Sequence, residues 1–372
     1  MDAKAYWVAL NMVKGIGAVR MQALLDCFGD AQSAWNARAS DLRSAGLTER
    51  VVQNLVKLRG EVDLALVWER IQKRGIQVIT RQDEHYPRRL KEIDQSPPVL
   101  YTCGDLTPGD EWAVAIVGTR RVTGYGRAIT EELTDYLARN GVTVVSGLAR
   151  GVDAVAHETA LRAGGRTIAV LGSGVDRIYP PEHRPLAERI AGQGAVLSDY
   201  SPGTPPESVN FPPRNRIISG LSLATVVIEA GETSGALITA RFAAEQGRDV
   251  FAIPGPIYAS QSKGTNRLIQ QGARPLLKVD EVLEELNLQQ VQEYRQASLV
   301  IPADAVEASL LKLIGPQPVH IDDILAESSL PIEQVSATLT LMELKGLVRQ
   351  TGGMNYIAVR ELPANYRTDE NV

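Results

Sequence analysis

Several short stretches of this 372-residue chain set anion-gripping residue types directly after apolar, strand-like runs. In AIVGTRRVTGYGR the apolar run ends at Gly118 and is followed by Thr119, Arg120 and Arg121. A strand-to-helix turn presents backbone N–H groups that favour anions, and two guanidinium groups add planar, charge-assisted donors. SGLARGVDAVAHETAL repeats the arrangement: Ser146 and the amides after it are placed to hold a phosphate oxygen, Arg150 adds charge, and Gly147 and Gly151 let backbone come close. NFPPRNRIISGL is expected to be a proline-stiffened loop before a helix, with Phe211 as a stacking face and Arg214, Asn215 and Arg216 as phosphate grips. ATVVIEAGETSGALITA then runs a strand into Glu229, Gly231, Thr233, Ser234 and Gly235, and QSKGTNRLIQQGARPL adds Lys263 and Asn266 to the rim. Turns of this kind along one sheet edge make a groove for regularly spaced anions. Arginine with an aromatic ring on a rigid segment is how unpaired strands are held, because every base has a π-face. A flexible single strand fits such strand-end clefts, and a duplex does not.

Other chemistry fits these residues less well. A dinucleotide turn needs G-x-G-x-x-G and an acidic residue at the end of the next strand. Here Gly118 leads into Thr119, Arg120 and Arg121, and the next strand, VTVVSG, ends in Ser146 and Gly147. Asp153 and His157 lie four apart on a helix and so share a face, which is the spacing of a base-and-acid pair. The preferred reading has Asp153 capping the helix or bonding an arginine and His157 packed under the sheet. Cys27 and Cys103 are far apart, with no C-x-x-C and no histidine at ligand spacing, so reduced packed thiols are expected and no metal or cofactor is implied.

The elements that must position these residues follow from periodicity. AVAIVG, VTVVSG, TIAVLG, AVLSDY, ATVVIEA and DVFAIPG are short β-branched runs, mostly separated by helical stretches, which means a parallel sheet covered by helices. Ligands of such sheets bind at the carboxyl ends of the strands. Residues 1–74 read as short helices, with Gly15 and Gly17 in a helix-hairpin-helix turn that either cradles a phosphate or only packs. Residues 75–287 form the α/β core, opening on the strand GIQVIT and crossing into the main sheet through Pro87, Pro97 and Pro98. The glutamine-rich stretch 288–303 reads as a linker. In 304–362, three helices (306–314, 321–326, 331–344) and a hairpin turning at Gly352 and Gly353 outline a winged helix. Its third helix offers Glu333, Gln334 and Glu343 and no cation before Lys345, so a partner-binding or weak DNA role suits it better than groove reading.

Composition narrows the classes. With 44% apolar and 22% charged residues the chain is globular, and no apolar run approaches the roughly 18 residues of a membrane span. MDAKAYWVALNMVKG lacks the pattern of a signal peptide, so a cytoplasmic location and no membrane partner are expected. The net charge of −5 argues against indiscriminate coating of nucleic acid, but it is unevenly distributed. Residues 112–278 hold 18 Lys and Arg against 14 Asp and Glu, a net of +4, which leaves −9 for the flanks. Only Lys263 and Lys278 in that span are lysines, and arginine is the cation that grips phosphate and stacks on bases.

GTRRVTGYG, SGLARGVDAVAHETAL, VLGSGVDRIYPPEH, FPPRNRIISGLS, VIEAGETSGALITARFAAEQGRDVFAIPG and GTNRLIQQGA, in this order, closely resemble the DNA-processing protein A (DprA, or Smf) family of bacteria. The resemblance implies an extended Rossmann-like core with an N-terminal sterile-alpha-motif-like module and a C-terminal winged helix. It further implies a non-catalytic protein that binds single-stranded DNA, forms a homodimer, and helps load the recombinase RecA during natural transformation. By this resemblance Arg120 is the arginine of the family's G-[ST]-R turn, and Phe211, Arg214, Asn215 and Arg216 belong to its binding loop. The lysine often found just before that phenylalanine is missing, since Ser208, Val209 and Asn210 stand there. The dimer is expected near GTNRLIQQGA, with Leu268 and Ile269 as apolar contacts. Two rival functions share some of these features. The sheet also looks like that of nucleotide phosphoribohydrolases of the lysine-decarboxylase-like group, but EAGETSGALITA lacks the glutamate that ends their P-G-G-x-G-T-x-x-E motif. A transcription regulator led by the winged helix is the other.

Overall fold

The structure is a computed structural model that describes residues 2–286, 305–314, 318–328, 330–344, 348–350 and 354–358. By their contacts the residues fall into two units, Met1–Leu288 and Gln289–Val372. The expected linker at 288–303 and the hairpin turn at Gly352 and Gly353 lie outside the described residues.

The first unit is built on a nine-stranded sheet. Its strands are β1 (Gln77–Thr80), β2 (Val99–Gly104), β3 (Ala113–Val117), β4 (Thr143–Ser146), β5 (Thr167–Val170), β6 (Ala195–Ser198), β7 (Ala224–Val227), β8 (Asp249–Ala252) and β9 (Arg274–Pro275). They lie in the order β1-β2-β6-β5-β4-β3-β7-β8-β9. From β6 to β9 every neighbouring pair is parallel, while β2 runs antiparallel to both β1 and β6. Strands β3 to β7 are buried at every position, the signature of a parallel sheet covered on both faces. The main covering helices are α8 (Gly124–Arg139), α9 (Val152–Arg162), α10 (Arg184–Gln193), α11 (Phe211–Gly220) and α12 (Gly235–Glu245), with α13 (Lys263–Gln270) beside β8. The mostly parallel α/β architecture is as the strand-and-helix alternation requires.

The chain leaves β3 toward β4, β5 and β6, and then returns to lay β7 on the other side of β3. Connections from two adjacent parallel strands therefore diverge, and a cleft opens at their carboxyl ends. The turns at Gly118–Arg121 and Glu229–Gly235 are the two lips of that cleft.

The strand β2 was not anticipated from the sequence, because Pro97 and Pro98 made its approach look like a crossing segment. Both prolines precede the strand, where no ladder N–H is required, so they set its start without breaking it. Helices α1 (Ala3–Met12), α2 (Ala18–Phe28), α3 (Ala31–Asn36), α4 (Ala39–Ser44), α5 (Glu49–Glu61) and α6 (Leu64–Lys73) share one apolar core with Val78, Val99 and Tyr101 of the antiparallel strands. Lys4 Nζ donates to the Val78 carbonyl at 2.9 Å, and the buried Tyr101 hydroxyl donates to Asn11 Oδ1 at 2.9 Å. At the turn before α2, Arg20 donates to the Gly15 carbonyl at 2.6 Å.

In the second unit, helices Ala305–Leu313, Ile321–Ser328 and Ile332–Leu344 surround a core that includes Leu310, Ile324, Val335, Leu339 and Met342. Strands Val319–His320, Asn355–Ala358 and Val348–Gln350 pair antiparallel in that spatial order, completing a winged helix.

At the amino ends of the central strands, opposite the cleft, one carboxylate gathers several elements. Asp110 takes Arg166 Nε and Nη2 at 2.9 Å each, the Thr143 hydroxyl at 2.9 Å and the Thr107 N–H at 2.7 Å. Removing one partner of a largely buried ion pair leaves the other unsatisfied. Asp110→Ala is therefore expected to lower the unfolding free energy by about 2–4 kcal/mol in urea titration. A loss below about 0.5 kcal/mol would show that the cluster does not hold this edge.

Candidate nucleic-acid interface

The turn Gly118–Arg121 is clamped from two sides. The Thr119 N–H donates to the Glu229 carbonyl at 2.7 Å, and the Thr119 carbonyl accepts the Val152 N–H at 3.2 Å. Gly151 lies against it with φ of +78°, and a Cβ there would come within 2.3 Å of the Thr119 carbonyl oxygen and 2.7 Å of the Arg120 carbonyl carbon. Glycine is thus required at 151 for both its conformation and its lack of a side chain. The Glu229 carboxylate, 4% exposed, accepts the Thr123 N–H at 3.0 Å and its hydroxyl at 2.5 Å, fixing the start of α8. Arg120 and Arg121 stand exposed on this rigid base, and among the described residues neither guanidinium has a hydrogen-bond or ion-pair partner.

The facing wall differs from expectation in one respect. FPPRNRIISG is the helix α11 rather than a loop, because Pro212 and Pro213 occupy its first turn, where no intrahelical N–H is needed. Two residues apart on a helix means about 200° of rotation, so Arg214 and Arg216 point to opposite sides. Arg214 lies inward beneath the groove, 5% exposed, with Nη1 donating to the Gly147 carbonyl at 2.9 Å and its guanidinium 5.9 Å from the Phe211 ring centre. Burial pulls its pKa down to about 10, and Asp153 and Asp199 oppose that shift. Arg216 turns away and pairs with Asp199 at 2.6 Å. Phe211 meets Tyr179 with ring centres 5.8 Å apart and planes tilted by 43°.

The loop after β4 carries a different role from the one expected of it. The buried Ser146 hydroxyl donates to the Ile116 carbonyl at 2.6 Å. The Gly147 and Ala149 amides both donate to Asp153 Oδ2 at 3.2 Å, so they are already satisfied by a carboxylate inside the protein. Arg150 donates to Glu182 Oε1 at 2.6 Å. Asp153 thus ties down the loop that precedes its helix, beside Arg214, and burial raises its pKa despite that cation and those amides. His157 is fully buried. The Thr167 hydroxyl donates to the Val144 carbonyl, so His157 Nδ1 carries the proton and donates to Thr167 Oγ1 at 2.7 Å. Its Nε2 has no partner. The acid-base reading of Asp153 and His157 gives way to the packing one.

A groove of about 750 Å³ results, lined by Gly118, Thr119, Arg120 and Arg121 on one side and by Phe211, Arg214, Asn215 and Gly235 on the other. Ser146, Gly147, Arg150, Gly151, Arg216, Lys263 and Asn266 do not line it. Lys263 lies 3.7 Å from Glu232, and the Asn266 amide pairs with both backbone groups of Gly255 at 2.9 and 3.2 Å. Leu268 is half-buried against the sheet core, and Ile269 is half-exposed on the same helix. Sequence reasoning missed Tyr179 and Gln261 as groove residues. The signal for Tyr179 was its place before Pro180 and Pro181 in a motif otherwise unassigned.

The pattern of the family described as DNA recombination-mediator protein A matches residues 77–287, and that of the DprA winged helix domain matches 296–354. The chain belongs to the DNA recombination-mediator protein A family. Protein Smf of Synechocystis is 38% identical over 95% of this chain and 98% of its own length. The Bacillus subtilis DNA processing protein DprA is 39% identical over 69% of this chain and 90% of its own. The crystal structure of Streptococcus pneumoniae DprA superposes with a TM-score of 0.68 at 34% identity, covering 76% of this chain and 97% of that one. DprA of Helicobacter pylori, whose structure concerns its single-stranded DNA binding mode, gives a TM-score of 0.52 at 32% identity over 57% of this chain and 95% of that one.

The buried imidazole of this family member makes a titration testable. Burial lowers the His157 pKa to about 3 from 6.5. A depressed folded-state pKa means that the unfolded chain takes up the proton first as pH falls. Stability fully present above pH 6.5 is therefore lost progressively toward pH 3. In His157→Asn the unfolding free energy should fall less steeply over this window, by up to about 1.4 kcal/mol per pH unit. Parallel curves for the two proteins would show that His157 does not titrate this way.

Proposed function

We propose that this chain binds single-stranded DNA along the groove at the carboxyl edge of its sheet, protects incoming strands and helps load the recombinase RecA in natural transformation and recombination, without catalysing a reaction itself. One observation carries the DNA reading: two unpaired arginines on a clamped turn face a Phe211–Tyr179 ring pair across a single groove. Phosphates fit the first wall and bases fit the second. Ring stacking and backbone contact carry little sequence information, so discrimination among sequences is expected to be slight. The Helicobacter pylori relative, a single-strand binder by its structure, supports the same occupant. The role with RecA rests on the family resemblance. A homodimer through α13, with Ile269 as an apolar contact, and a cytoplasmic location complete the proposal; no helix among the described residues is long and apolar enough to cross a membrane.

The rivals fare worse on specific contacts. A hydrolase would need a free carboxylate at the cleft, whereas both oxygens of Glu229 are taken by Thr123 and Glu232 lies 3.7 Å from the Lys263 ammonium. A duplex reader would present cations on the third winged helix, where Glu333, Gln334 and Glu343 are exposed.

Arg120→Ala is expected to weaken oligo-dT binding by roughly 1–3 kcal/mol and to reduce the slope of log affinity against log salt by about 0.7, one phosphate contact on a single strand. Arg216→Ala should leave that slope unchanged, since its charge is already paired with Asp199 and it does not line the groove. If Arg120→Ala binds with wild-type affinity and salt dependence, Arg120 is not in the site. Ile269→Glu is expected to shift the protein to monomer in sedimentation velocity; an unaltered mass would move the dimer contact elsewhere.

A further inference from the structure

The segment that follows β8, residues 253–262, leaves the sheet at the same edge as the groove and is tied down at almost every step. Asn266 holds Gly255 through both backbone groups, the Ala230 N–H donates to the Gln261 carbonyl at 2.8 Å, and the Tyr125 hydroxyl donates to the Pro254 carbonyl at 3.2 Å. Two tight turns close within it, from Ala259 N–H to the Pro256 carbonyl and from Ser262 N–H to the Ala259 carbonyl, both at 3.0 Å. A loop so restrained nevertheless carries Ile257 71% exposed and Tyr258 92% exposed at its tip. Scattered exposed apolar residues need no explanation, but two adjacent ones on a preorganised tip do. The Tyr258 hydroxyl has no partner among the described residues, so nothing inside the chain orients it.

The tip is continuous with the groove. Gln261 lines the groove and its Nε2 donates to the Arg121 carbonyl at 3.1 Å, which joins this loop to the arginine turn. A strand leaving the groove at the Arg121 turn would meet this loop next, because Gln261 ties the two together.

We propose that Tyr258 is a second base-stacking platform, which takes a base of the same DNA strand after it leaves the groove past Arg121. The inference rests on the reading of the groove as a single-strand site. Charge favours this occupant over a second copy of the chain, because a two-fold contact through the tip would bring the unpaired Arg121 cations of both copies together. An exposed aromatic ring on a loop tied to the arginine turn suits a polynucleotide, in which bases alternate with phosphates.

The test uses the full chain with oligo-dT of about 6 nucleotides, short enough for the groove alone, and of about 20 nucleotides, long enough to leave it. Tyr258→Ala is expected to weaken binding of the longer strand roughly tenfold and to leave the shorter unchanged. Tyr258→Trp should restore the longer strand's affinity, with its added fluorescence quenched by the longer strand only. Truncation of a side chain this exposed does not threaten folding. Wild-type affinity of Tyr258→Ala for both lengths overturns the proposal, as does a loss of dimer mass in sedimentation with DNA affinity unaltered, which would assign the tip to a second copy. Arg120→Ala separates the two readings. If it binds both lengths normally, the groove itself is wrong; if it weakens both while Tyr258→Ala weakens neither, only the second platform fails.

Discussion

A buried carboxylate at the point where the strand order reverses governs the geometry of this protein. Glu229 follows β7 by two residues, and its side chain reaches across to the start of α8, where it satisfies the N–H and hydroxyl of Thr123, while its carbonyl accepts from Thr119 just after β3. The two strands flanking the switch point are thereby joined above the sheet as well as within it. Without that link the Gly118–Thr123 connection would be an ordinary exposed loop, and ordering it would fall to the ligand. With it, the entropy of fixing the turn is lost on folding, and a bound strand has only the arginine side chains to immobilise. The same contact engages both carboxylate oxygens of Glu229, so one interaction builds the binding edge and commits a buried carboxylate to structure.

Charge is partitioned on the same principle. Arg216, Arg150 and Arg166 each meet a carboxylate of the protein, and Arg214 is drawn below the surface toward Asp153 and Asp199. Burial works against the ionised forms of Arg214, Asp153 and Asp199 alike, but the two carboxylates support the guanidinium, and a pKa of about 10 leaves Arg214 cationic near neutral pH. The consequence at the surface is a fixed positive charge behind Phe211 and close enough to Arg120 to repel it. Arg120 therefore gains twice from an arriving phosphate, by direct hydrogen bonding and by relief of that repulsion. Arg120 and Arg121 are the guanidinium groups of this cleft left without an acidic partner among the described residues.

Much of this was legible in the residues. Six β-branched runs separated by turns and helices are enough to define a parallel sheet, and the position of GTRR directly after one of them places Arg120 and Arg121 at its carboxyl edge. What could not be read was direction within an element. FPPR has the composition of a stiff loop, and only the rule that proline belongs in the first turn of a helix distinguishes the two; once it is a helix, Arg214 and Arg216 must diverge. The Ser146 loop looked like a phosphate cradle because its donors were in the right place, yet Asp153, six residues after Gly147, occupies those donors itself. Composition reveals donors and acceptors and not their pairing. Strand β2 was hidden by prolines that turned out to flank it, and Tyr179 by the distance in sequence to the ring it meets.

These failures share a physical cause that bears on the function. In a sheet protein of this kind the loops at the strand ends must satisfy their own backbone before they can serve a ligand, and most polar groups near the edge are consumed in doing so. The donors that remain available are those on side chains long enough to clear the backbone network, which selects arginine over amides and hydroxyls. A site of this construction grips charge at the tips of a few extended side chains and offers few short, directional contacts close to the bases. It is therefore suited to holding a strand irrespective of sequence. On the proposed function, the same construction would let a strand slide, since no base-edge contact would have to be broken for it to move.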